Sequence, residues 1–328
     1  MRVDDIFAEA LVDLGAEDTR FRGILTPASA VGAAKVGVTA QFLDNAEAYH
    51  RAYLDVAYWR YLIDNALAAA HDLGEPATII DIGSGSGNSV LPLADRFPDA
   101  TIVATDISPQ LLAILRDFIV KRADRPQRFG LVAADASAAN YRAGVADLAV
   151  GAAILHHILD PALVLASCHR ALRPGGWAIF FEPFEAGNVI LKLTYQRVLA
   201  QASAAERKTE GMRFLERMVA DYTVRQRPRS DPIFRELDDK WMFTRSYFER
   251  IRDEQGWAEL IVYPLNAADT PLHNQAAVHL KLGAALPPDA LPAWAWAVID
   301  ETDGGMSPDL KREWMQEGAV LFRKRPAP

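Results

Sequence analysis

The stretch Thr78–Val90 reads TIIDIGSGSGNSV and constrains the fold more than any other part of the chain. Its apolar first half predicts a short buried strand, and the glycines Gly83, Gly85 and Gly87 predict a tight turn before a helix. A glycine turn at such a junction lets a ligand approach the main chain closely and directs backbone N–H groups towards it. We therefore expect this turn to form part of a ligand-binding site.

The same pattern of apolar run, turn and helical stretch recurs up to about residue 183. The runs TIIDI, TIVATDI, FGLVAAD, DLAVGAA and WAIFFEP are short and do not alternate with polar residues, as expected of parallel strands covered on both faces. Segments with helical spacing separate these runs. In one of them, SPQLLAILRDFIVKRA, we expect Ser108 to be the N-cap and Pro109 the first helical residue. The alternation predicts an α/β fold with a parallel sheet whose ligands collect at the carboxyl ends of the strands.

The flanking segments have other patterns. Residues 1–75 have helical spacing, and Gly74 is placed to end the last of these helices. Residues 184–236 predict a second helical region with a charged, proline-containing end, VRQRPRSDP. Residues 237–328 return to the strand runs AELIVYPL and GAVLFRKR, with helices between them. Because a strand closes the chain, we expect this last part to complete the same sheet, with helical insertions above it.

Charge and composition exclude several functions. The chain has 43 acidic and 35 basic residues and a net charge of −8, so it offers no basic field to a nucleic acid. Cys168 is the single cysteine, which rules out an internal disulfide or a cysteine metal cluster and predicts a reducing compartment. The N-terminus lacks the apolar segment of a signal peptide, and polar residues interrupt the apolar stretch 148–166. We expect a soluble cytoplasmic protein without a membrane span; the oligomeric state stays open, a homodimer included.

Two classes of cofactor compete for the glycine turn. A dinucleotide is suggested by Asp106, which follows the first glycine by about 20 residues. The dinucleotide fingerprint, however, would place its third glycine at position 88, where this chain has Asn88. Asp81, just before the turn, suits an ammonium better than a pyrophosphate, and a further acid, Asp135, ends the third strand. These features favour a ligand with an amino-acid end, a ribose and an adenine, and without phosphates.

On these residues the sequence resembles the class I S-adenosylmethionine-dependent methyltransferases. The resemblance covers about residues 49–183 and consists of IIDIGSGSGNS, TDISPQLL, AADAS, LHHILDP and LRPGGWAIFFEP in that order. It implies a Rossmann-like sheet of seven strands with the last strand antiparallel. It also implies an N-terminal helical lid (1–75), a cofactor-binding core (76–183), a helical substrate cover (184–236) and the remainder of the sheet with a further insertion (237–328). The cofactor would be S-adenosylmethionine, the product S-adenosylhomocysteine, and no metal would be needed.

The resemblance also implies roles for single residues. Asp106 would accept both ribose hydroxyls, Ile107 would pack on the adenine, and Asp135 with the amide of Ala136 would bind the adenine edge. Asp81 would orient the ammonium of the methionine portion. The implied cofactor contacts are Tyr49, Asp81, Gly83, Ser84, Gly85, Gly87, Asn88, Asp106, Ile107, Asp135, Ala136 and Ala152. Tyr49 matches a tyrosine that lies over the cofactor in quinone-pathway methyltransferases, and the alternative is a core-facing aromatic of an amphipathic helix.

The candidate catalytic residues follow the fourth and fifth strands. A hydroxyl acceptor needs a base, because its neutral oxygen is a poor nucleophile near pH 7. His156 and His157 follow the fourth strand and Glu182 ends the fifth. A histidine titrates near neutral pH, and a carboxylate can fix its tautomer. These positions match a histidine pair and an acid in methyltransferases that act on natural-product sugars, whereas in other relatives the LHH histidines only cap a turn or pack.

The prediction is therefore an enzyme that methylates a hydroxyl of a small molecule, such as a secondary metabolite or a sugar-bearing compound. The alternatives are N- or C-methylation of a small molecule, and a protein that binds the cofactor without methylating. We expect the acceptor beneath the helical insertions. The candidates for its lining are Tyr195, Lys240, Trp241, Trp294 and Trp296.

Overall fold

The computed structural model of the protein describes residues 3–32, 43–122, 125–265 and 268–327. These residues form one nine-stranded sheet of order β1-β2-β5-β4-β3-β6-β7-β9-β8. The strands are β1 (Leu11–Asp13), β2 (Leu25–Pro27), β3 (Thr78–Ile82), β4 (Thr101–Asp106), β5 (Phe129–Ala133), β6 (Ala146–Ala152), β7 (Leu172–Pro183), β8 (Glu259–Pro264) and β9 (Glu317–Arg323). The helices are α1 (Ala46–Tyr53), α2 (Val56–Ala69), α3 (Val90–Arg96), α4 (Pro109–Arg122), α5 (Pro161–Ala171), α6 (Glu185–Gln201), α7 (Glu210–Arg225), α8 (Arg245–Gln255), α9 (Pro271–Ala284), α10 (Ala293–Gly304) and α11 (Pro308–Trp314).

Two hydrophobic cores lie on opposite faces of the sheet. Every residue of β3 is buried, with Ile79 in the core that includes α2, α3 and α4, and Ile80 in the core that includes α5 and α8. Successive side chains of a strand point to opposite faces, so both faces of β3 are covered. The unbroken apolar runs of the sequence reflect this double cover, and the predicted α/β class is confirmed.

The strand pairing agrees with the prediction in its central part. Strands β5, β4, β3, β6 and β7 are parallel neighbours, and β9 pairs antiparallel with both β7 and β8. The predicted antiparallel last strand is therefore confirmed. The turns that are predicted to bind the cofactor all follow carboxyl ends of the parallel strands, which places them along one edge of the sheet.

The N-terminal segment differs from the prediction. Strands β1 and β2 pair with each other, and β2 extends the sheet beside β5, so the predicted count of seven strands is wrong by two. Residues 1–75 are consequently not helical throughout. The two strands have only three residues each, too few for the period-two signal that identifies a strand. The helical prediction for residues 33–42 lies outside the described residues.

Helix ends follow the expected chemistry in part. The hydroxyl of Ser108 accepts the N–H of Leu111 (3.2 Å), as predicted for an N-cap. Gly74 has the left-handed φ of +65° but lies beyond the end of α2 at Ala69, so the prediction that it ends this helix is wrong. None of the described helices is both long and apolar enough to cross a lipid bilayer.

The helices α6, α7, α9 and α10 form a layer that we call the cover. They pack around a third hydrophobic core, in which Leu191, Leu215, Leu280 and Ile299 come from the four helices in turn. Since α6 directly follows β7, the cover begins at the carboxyl edge of the sheet. The cover therefore combines helices from both predicted insertions.

Candidate active site

A cleft opens where β3, β4, β5 and β6 end. It has a volume of about 930 Å³ including the part open to solvent. Tyr49 from α1 and a loop with Asp238 and Lys240 complete its wall. Most of the predicted cofactor contacts lie in this wall: Tyr49, Gly83, Gly85, Asp106, Ile107, Asp135, Ala136 and Ala152.

Backbone conformation and steric space both favour glycine in this turn. Gly83 and Gly85 both have positive φ, +67° and +52°, which favours glycine at each position. A Cβ on Gly83 would also lie 2.6 Å from the side chain of Ile154, whereas a Cβ on Gly85 would meet nothing within 4 Å. Gly83 therefore lets the turn pack against the loop after β6, and Gly85 leaves space beside the main chain.

Asp106 connects the turn to the end of β4. Its carboxylate accepts the N–H of Gly85 (2.8 Å) and the N–H of Ser108 (2.8 Å). Charge-assisted bonds of this kind are among the stronger ones in proteins. Asp106 thus holds the glycine turn in place and at the same time presents a carboxylate to the cleft wall, where the predicted ribose would lie.

Asp81 lies behind the wall and is fully buried. Neither of its carboxylate oxygens has a hydrogen-bond partner among the described residues. Burial raises the pKa of this carboxyl to about 6, and the nearby hydroxyls of Ser84 and Ser89, which form no hydrogen bond to it, oppose the shift in part. An unpaired buried carboxylate is costly, and the ammonium of S-adenosylmethionine, directly or through water, is the kind of partner it lacks. The residues present therefore fit the cofactor.

The predicted adenine side of the cleft consists of small and apolar groups. Ile107 and Ala136 lie in the wall beside Asp135. The carboxylate of Asp135 accepts the backbone N–H (2.8 Å) and the hydroxyl (2.5 Å) of Ser137. These bonds fix the carboxylate at the end of β5, and its contact with the adenine remains a prediction.

Besides Asp81, three of the predicted cofactor residues do not lie in the wall: Ser84, Gly87 and Asn88. Asn88 instead joins the turn to helices α1 and α2: its side chain accepts the N–H of Asp55 (3.0 Å) and donates to the carbonyl of Tyr53 (3.0 Å). The junction of α1 and α2 is therefore bound to the glycine turn by one side chain.

A second bond fixes α1 over the cleft. The ring nitrogen Nδ1 of His50 lies 2.8 Å from the hydroxyl of Ser86 in the same turn. The helix thereby carries Tyr49 into the wall. Burial, followed by the charge of Asp106, raises the pKa of Tyr49, so that it stays a neutral phenol. That it covers the cofactor remains a prediction.

Glu182 does not reach the cleft. It is fully buried at the end of β7 and accepts backbone N–H groups of Ile154 (3.2 Å), Leu155 (2.8 Å) and His156 (3.1 Å). The Nδ1 of His156 lies 2.7 Å from the same carboxylate. These contacts fix the turn after β6 and the ring of His156.

The two histidines occupy different positions, and only His157 lies in the wall. Burial acts against a charge on His156, but Glu182, followed by Asp239 and Glu317, raises its pKa above the usual value. Burial and the neighbouring His156 lower the pKa of His157 to about 3. The Nδ1 of His157 lies 3.0 Å from the carbonyl of Asp238 and must donate to it. A neutral His157 therefore has its lone pair on Nε2.

A loop before α8 supplies residues that the sequence analysis missed. Asp239 lies 3.3 Å from Nδ1 of His157 and 3.6 Å from Nε2 of His156. Asp238 lines the cleft. The local sequence LDDKW resembles an ordinary solvated loop, and only the fold brings it to the histidines. One donor atom each of His156, His157 and Asp239 lies within 4.8 Å of the others, a spacing that a divalent ion could also span.

Of the five candidates for the acceptor lining, Lys240 is the one found in the cleft wall. Tyr195 is fully buried within the cover. The indole N–H groups of Trp241, Trp294 and Trp296 donate to Ile158, Glu206 and Pro288 respectively. The three tryptophans have local partners of their own, which explains their positions without an acceptor.

Comparison with known proteins agrees with this geometry. Residues 80–180 match the family described as a methyltransferase domain. A demethylmenaquinone methyltransferase of Thermus thermophilus is 31% identical over 149 residues, 44% of this chain and 64% of that protein. A trans-aconitate 2-methyltransferase of an Azoarcus species is 35% identical over 124 residues, 38% of this chain and 46% of that protein. The chain thus spans between 46% and 64% of the length of these two relatives.

A solved structure extends the comparison to most of the fold. The phosphoethanolamine N-methyltransferase 2 of Haemonchus contortus, determined with S-adenosyl-L-methionine, superposes with a TM-score of 0.50 over 88% of this chain and 61% of that chain, at 14% identity. This similarity concerns the fold. Residues 80–180 thus belong to the methyltransferase domain family, and the chain has the fold of the class I S-adenosylmethionine-dependent methyltransferases, a class whose methyl donor is S-adenosylmethionine.

Proposed function

We propose that the protein transfers the methyl group of S-adenosylmethionine to a hydroxyl of a small molecule. The observation that carries this proposal is the position of the His157 imidazole in the wall of the cleft, where burial keeps the ring uncharged by lowering its pKa. Its tautomer is fixed by the carbonyl of Asp238, so Nε2 carries the lone pair. An amine acceptor that is already neutral would need no such base, whereas a hydroxyl does.

The proposed step needs only alignment and one proton transfer. As the acceptor oxygen attacks the methyl carbon, Nε2 of His157 takes the hydroxyl proton. The electrons of the breaking carbon–sulfur bond remain on sulfur, and S-adenosylhomocysteine is released. The turn fixed by Glu182 and the loop with Asp238 hold the ring of His157 in the wall of the cleft, which supports the alignment that an in-line displacement requires.

Two features support a small acceptor. The cleft is a concave pocket at the carboxyl edge of the sheet, and the cover begins at the same edge, which favours a small acceptor over a polymer. The relatives are named for demethylmenaquinone and trans-aconitate, and both names denote small molecules. Cys168 is buried and unpaired, and a reducing compartment such as the cytoplasm is part of the proposal.

Calorimetry and a release assay test the proposal in sequence. We expect S-adenosylmethionine and S-adenosylhomocysteine to bind and NAD not to bind; the opposite result would reject the cofactor itself. Formation of S-adenosylhomocysteine is then measured over matched panels of hydroxyl and amine compounds, with and without a chelator. Turnover confined to amines would overturn the hydroxyl acceptor, and loss of turnover with the chelator would contradict a metal-free site.

The variant His157→Ala tests the base. With a hydroxyl acceptor we expect kcat to fall by about 10² to 10⁴, the usual contribution of a general base, and the affinity for S-adenosylmethionine to be retained. His169→Ala is the control, because His169 packs on Trp257 away from the cleft. An unchanged kcat in His157→Ala would remove the base from the mechanism.

A further inference from the structure

The cluster around the two histidines extends beyond the cleft wall. Asp239 is within ion-pair distance of both rings, 3.3 Å from Nδ1 of His157 and 3.6 Å from Nε2 of His156. The ring centroids are only 4.0 Å apart. Glu182, the other carboxylate at the pair, is already bound to three backbone N–H groups and to His156. Asp239 is therefore the carboxylate available to His157.

A buried arginine of the cover holds Asp239. The guanidinium of Arg225, at the end of α7, lies 3.4 Å from the carboxylate of Asp239 and also pairs with Asp221 one turn earlier in the helix. It lies over the ring of Tyr222 at 5.2 Å. Arg225 is buried, and a planar guanidinium can join two carboxylates in a fixed geometry as an ammonium cannot.

The loop that carries Asp239 is itself fixed to the histidines. The backbone N–H groups of Lys240 and Trp241 donate to the carbonyl of His156 (2.7 and 3.2 Å). The ammonium of Lys240 donates to the carbonyl of Leu237 (2.6 Å) and lies 3.4 Å from that of Asp238. The position of Asp239 is thus set from both sides, by its own loop and by α7.

We infer that Asp239 is the counter-ion of the His156–His157 pair and that Arg225 is a positioning residue that acts by holding Asp239 against it. The inference rests on the proposed role of His157 as the base. Neither residue follows a strand of the predicted cofactor-binding core: Arg225 comes from the segment that the sequence analysis assigns to the cover (184–236), and Asp239 from the segment assigned to the remainder of the sheet (237–328).

The electrostatics of the step explain the need for such a counter-ion. When His157 takes a proton, a cation forms beside His156, whose pKa is already raised by Glu182 despite its burial. The charged groups that surround the pair are Glu182 from β7, Glu317 from β9, Asp238, Asp239 and Lys240 from the loop, and Arg225 from α7. Of these, Asp239 lies within ion-pair distance of His157 (3.3 Å), so its negative charge offsets the new positive charge directly.

The test is a histidine titration by NMR on the full-length protein, which needs no acceptor. The His156 signal is assigned with His156→Gln. In Asp239→Asn we expect the pKa of His156 to fall by about one unit or more, because an opposite charge at this distance has been removed. In Arg225→Lys the positive charge is kept but the bridge is lost, so we expect a shift in the same direction. Asp239→Glu, which keeps the anion, should restore much of the wild-type value.

The control is Arg197→Lys, which alters the exposed ion pair of α6 with Glu301 (2.6 Å) and should leave the histidines unchanged. An unshifted His156 in Asp239→Asn would overturn the counter-ion, and a wild-type titration in Arg225→Lys would overturn the positioning role. Asp239 is partly exposed, so we expect the Asp239→Asn variant to fold. Its titration therefore decides whether Asp239 is the counter-ion. Calorimetry with S-adenosylmethionine is run in parallel; failure of the wild type to bind it would reject the proposed function and leave the titration interpretable.

Discussion

Asp81 is a single residue whose effects on stability and on cofactor binding have opposite signs. Its pKa in the folded chain, about 6, is above the ordinary value of 3.8. The folded state therefore keeps its proton to higher pH than the unfolded state, and the contribution of Asp81 to stability falls as the pH rises from about 4 to 6. A shift of this size corresponds to roughly 3 kcal/mol. At about pH 7.5 we expect Asp81→Asn to raise the free energy of unfolding of the ligand-free protein by up to that amount.

The same substitution should weaken binding of the cofactor, since the ammonium loses its carboxylate. Urea unfolding and calorimetry with S-adenosylhomocysteine measure the two effects, and the gain in stability should shrink as the pH falls from 6 towards 4. For the wild type, affinity should fall below about pH 6, because protonation of Asp81 competes with the ammonium. The control is Asp135→Asn at an exposed carboxylate, which should not add stability. A destabilised Asp81→Asn, or one with unchanged affinity, would contradict this account.

At the scale of elements, the attachment of the lid to the glycine turn gives the next prediction. Asn88 bridges the turn to the junction of α1 and α2 through two hydrogen bonds. Loss of such a hydrogen bond costs roughly 0.5–1.5 kcal/mol, and we expect the destabilisation to be confined mainly to the junction of α1 and α2. We therefore expect Asn88→Ala to speed hydrogen exchange in α1 and to speed dissociation of S-adenosylhomocysteine, although Asn88 does not line the cleft.

A second asparagine provides a matched control for this variant. The side chain of Asn188 donates to the carbonyls of Phe184 (2.9 Å) and Gln316 (3.1 Å) at the start of α6. Asn188→Ala should loosen that region and leave exchange in α1 unchanged. If Asn88→Ala left both α1 and the dissociation rate as in the wild type, the lid would be held in place by other contacts.

The elements also show what a sequence can predict. Strands β3 to β7 were predictable because each is covered on two faces and is therefore apolar without interruption. Strands β1 and β2 were not predictable, because a strand of three residues is too short to show the alternation of apolar and polar residues. Their place in the sheet also depends on pairing with the edge of β5, which is distant in sequence. The hydroxyl cap at Ser108 was predictable because it depends on neighbours along the chain. The end of α2 was not: the helix ends at Ala69, before the predicted stop at Gly74.

At the scale of the whole molecule, the two halves of the site differ in how they are encoded. The cofactor half consists of short segments that each follow a strand, so motif and position together identified most of its wall. The proposed acceptor half joins His157 after β6, Glu182 at the end of β7, Arg225 in the cover and Asp239 in a later loop. No local pattern connects these segments. Only the packed fold brings them within ion-pair distance, which is why Asp239 and Arg225 were not among the sequence candidates.

The cover and the sheet have separate hydrophobic cores, and this predicts separable effects of core substitutions. Leu215 is fully buried in the cover, and Ile80 is fully buried in β3 beside Asp81. Truncation of either to alanine should cost about 2–5 kcal/mol. If the cover folds around its own core, Leu215→Ala should raise hydrogen exchange mainly in α6, α7, α9 and α10 and keep the affinity for S-adenosylhomocysteine, whereas Ile80→Ala should lower that affinity.

Hydrogen exchange and calorimetry with S-adenosylhomocysteine on the two variants test whether the two cores unfold separately. Leu193→Ala, at an exposed position of α6, is the control for surface truncation. Equal losses of affinity in Leu215→Ala and Ile80→Ala would show that the cover and the cofactor half unfold as one unit. Retained affinity with a loosened cover would instead separate binding of the methyl donor from enclosure of the acceptor. Because Arg225 belongs to α7 and holds Asp239, the histidine titration should then respond to Leu215→Ala even though the cofactor still binds.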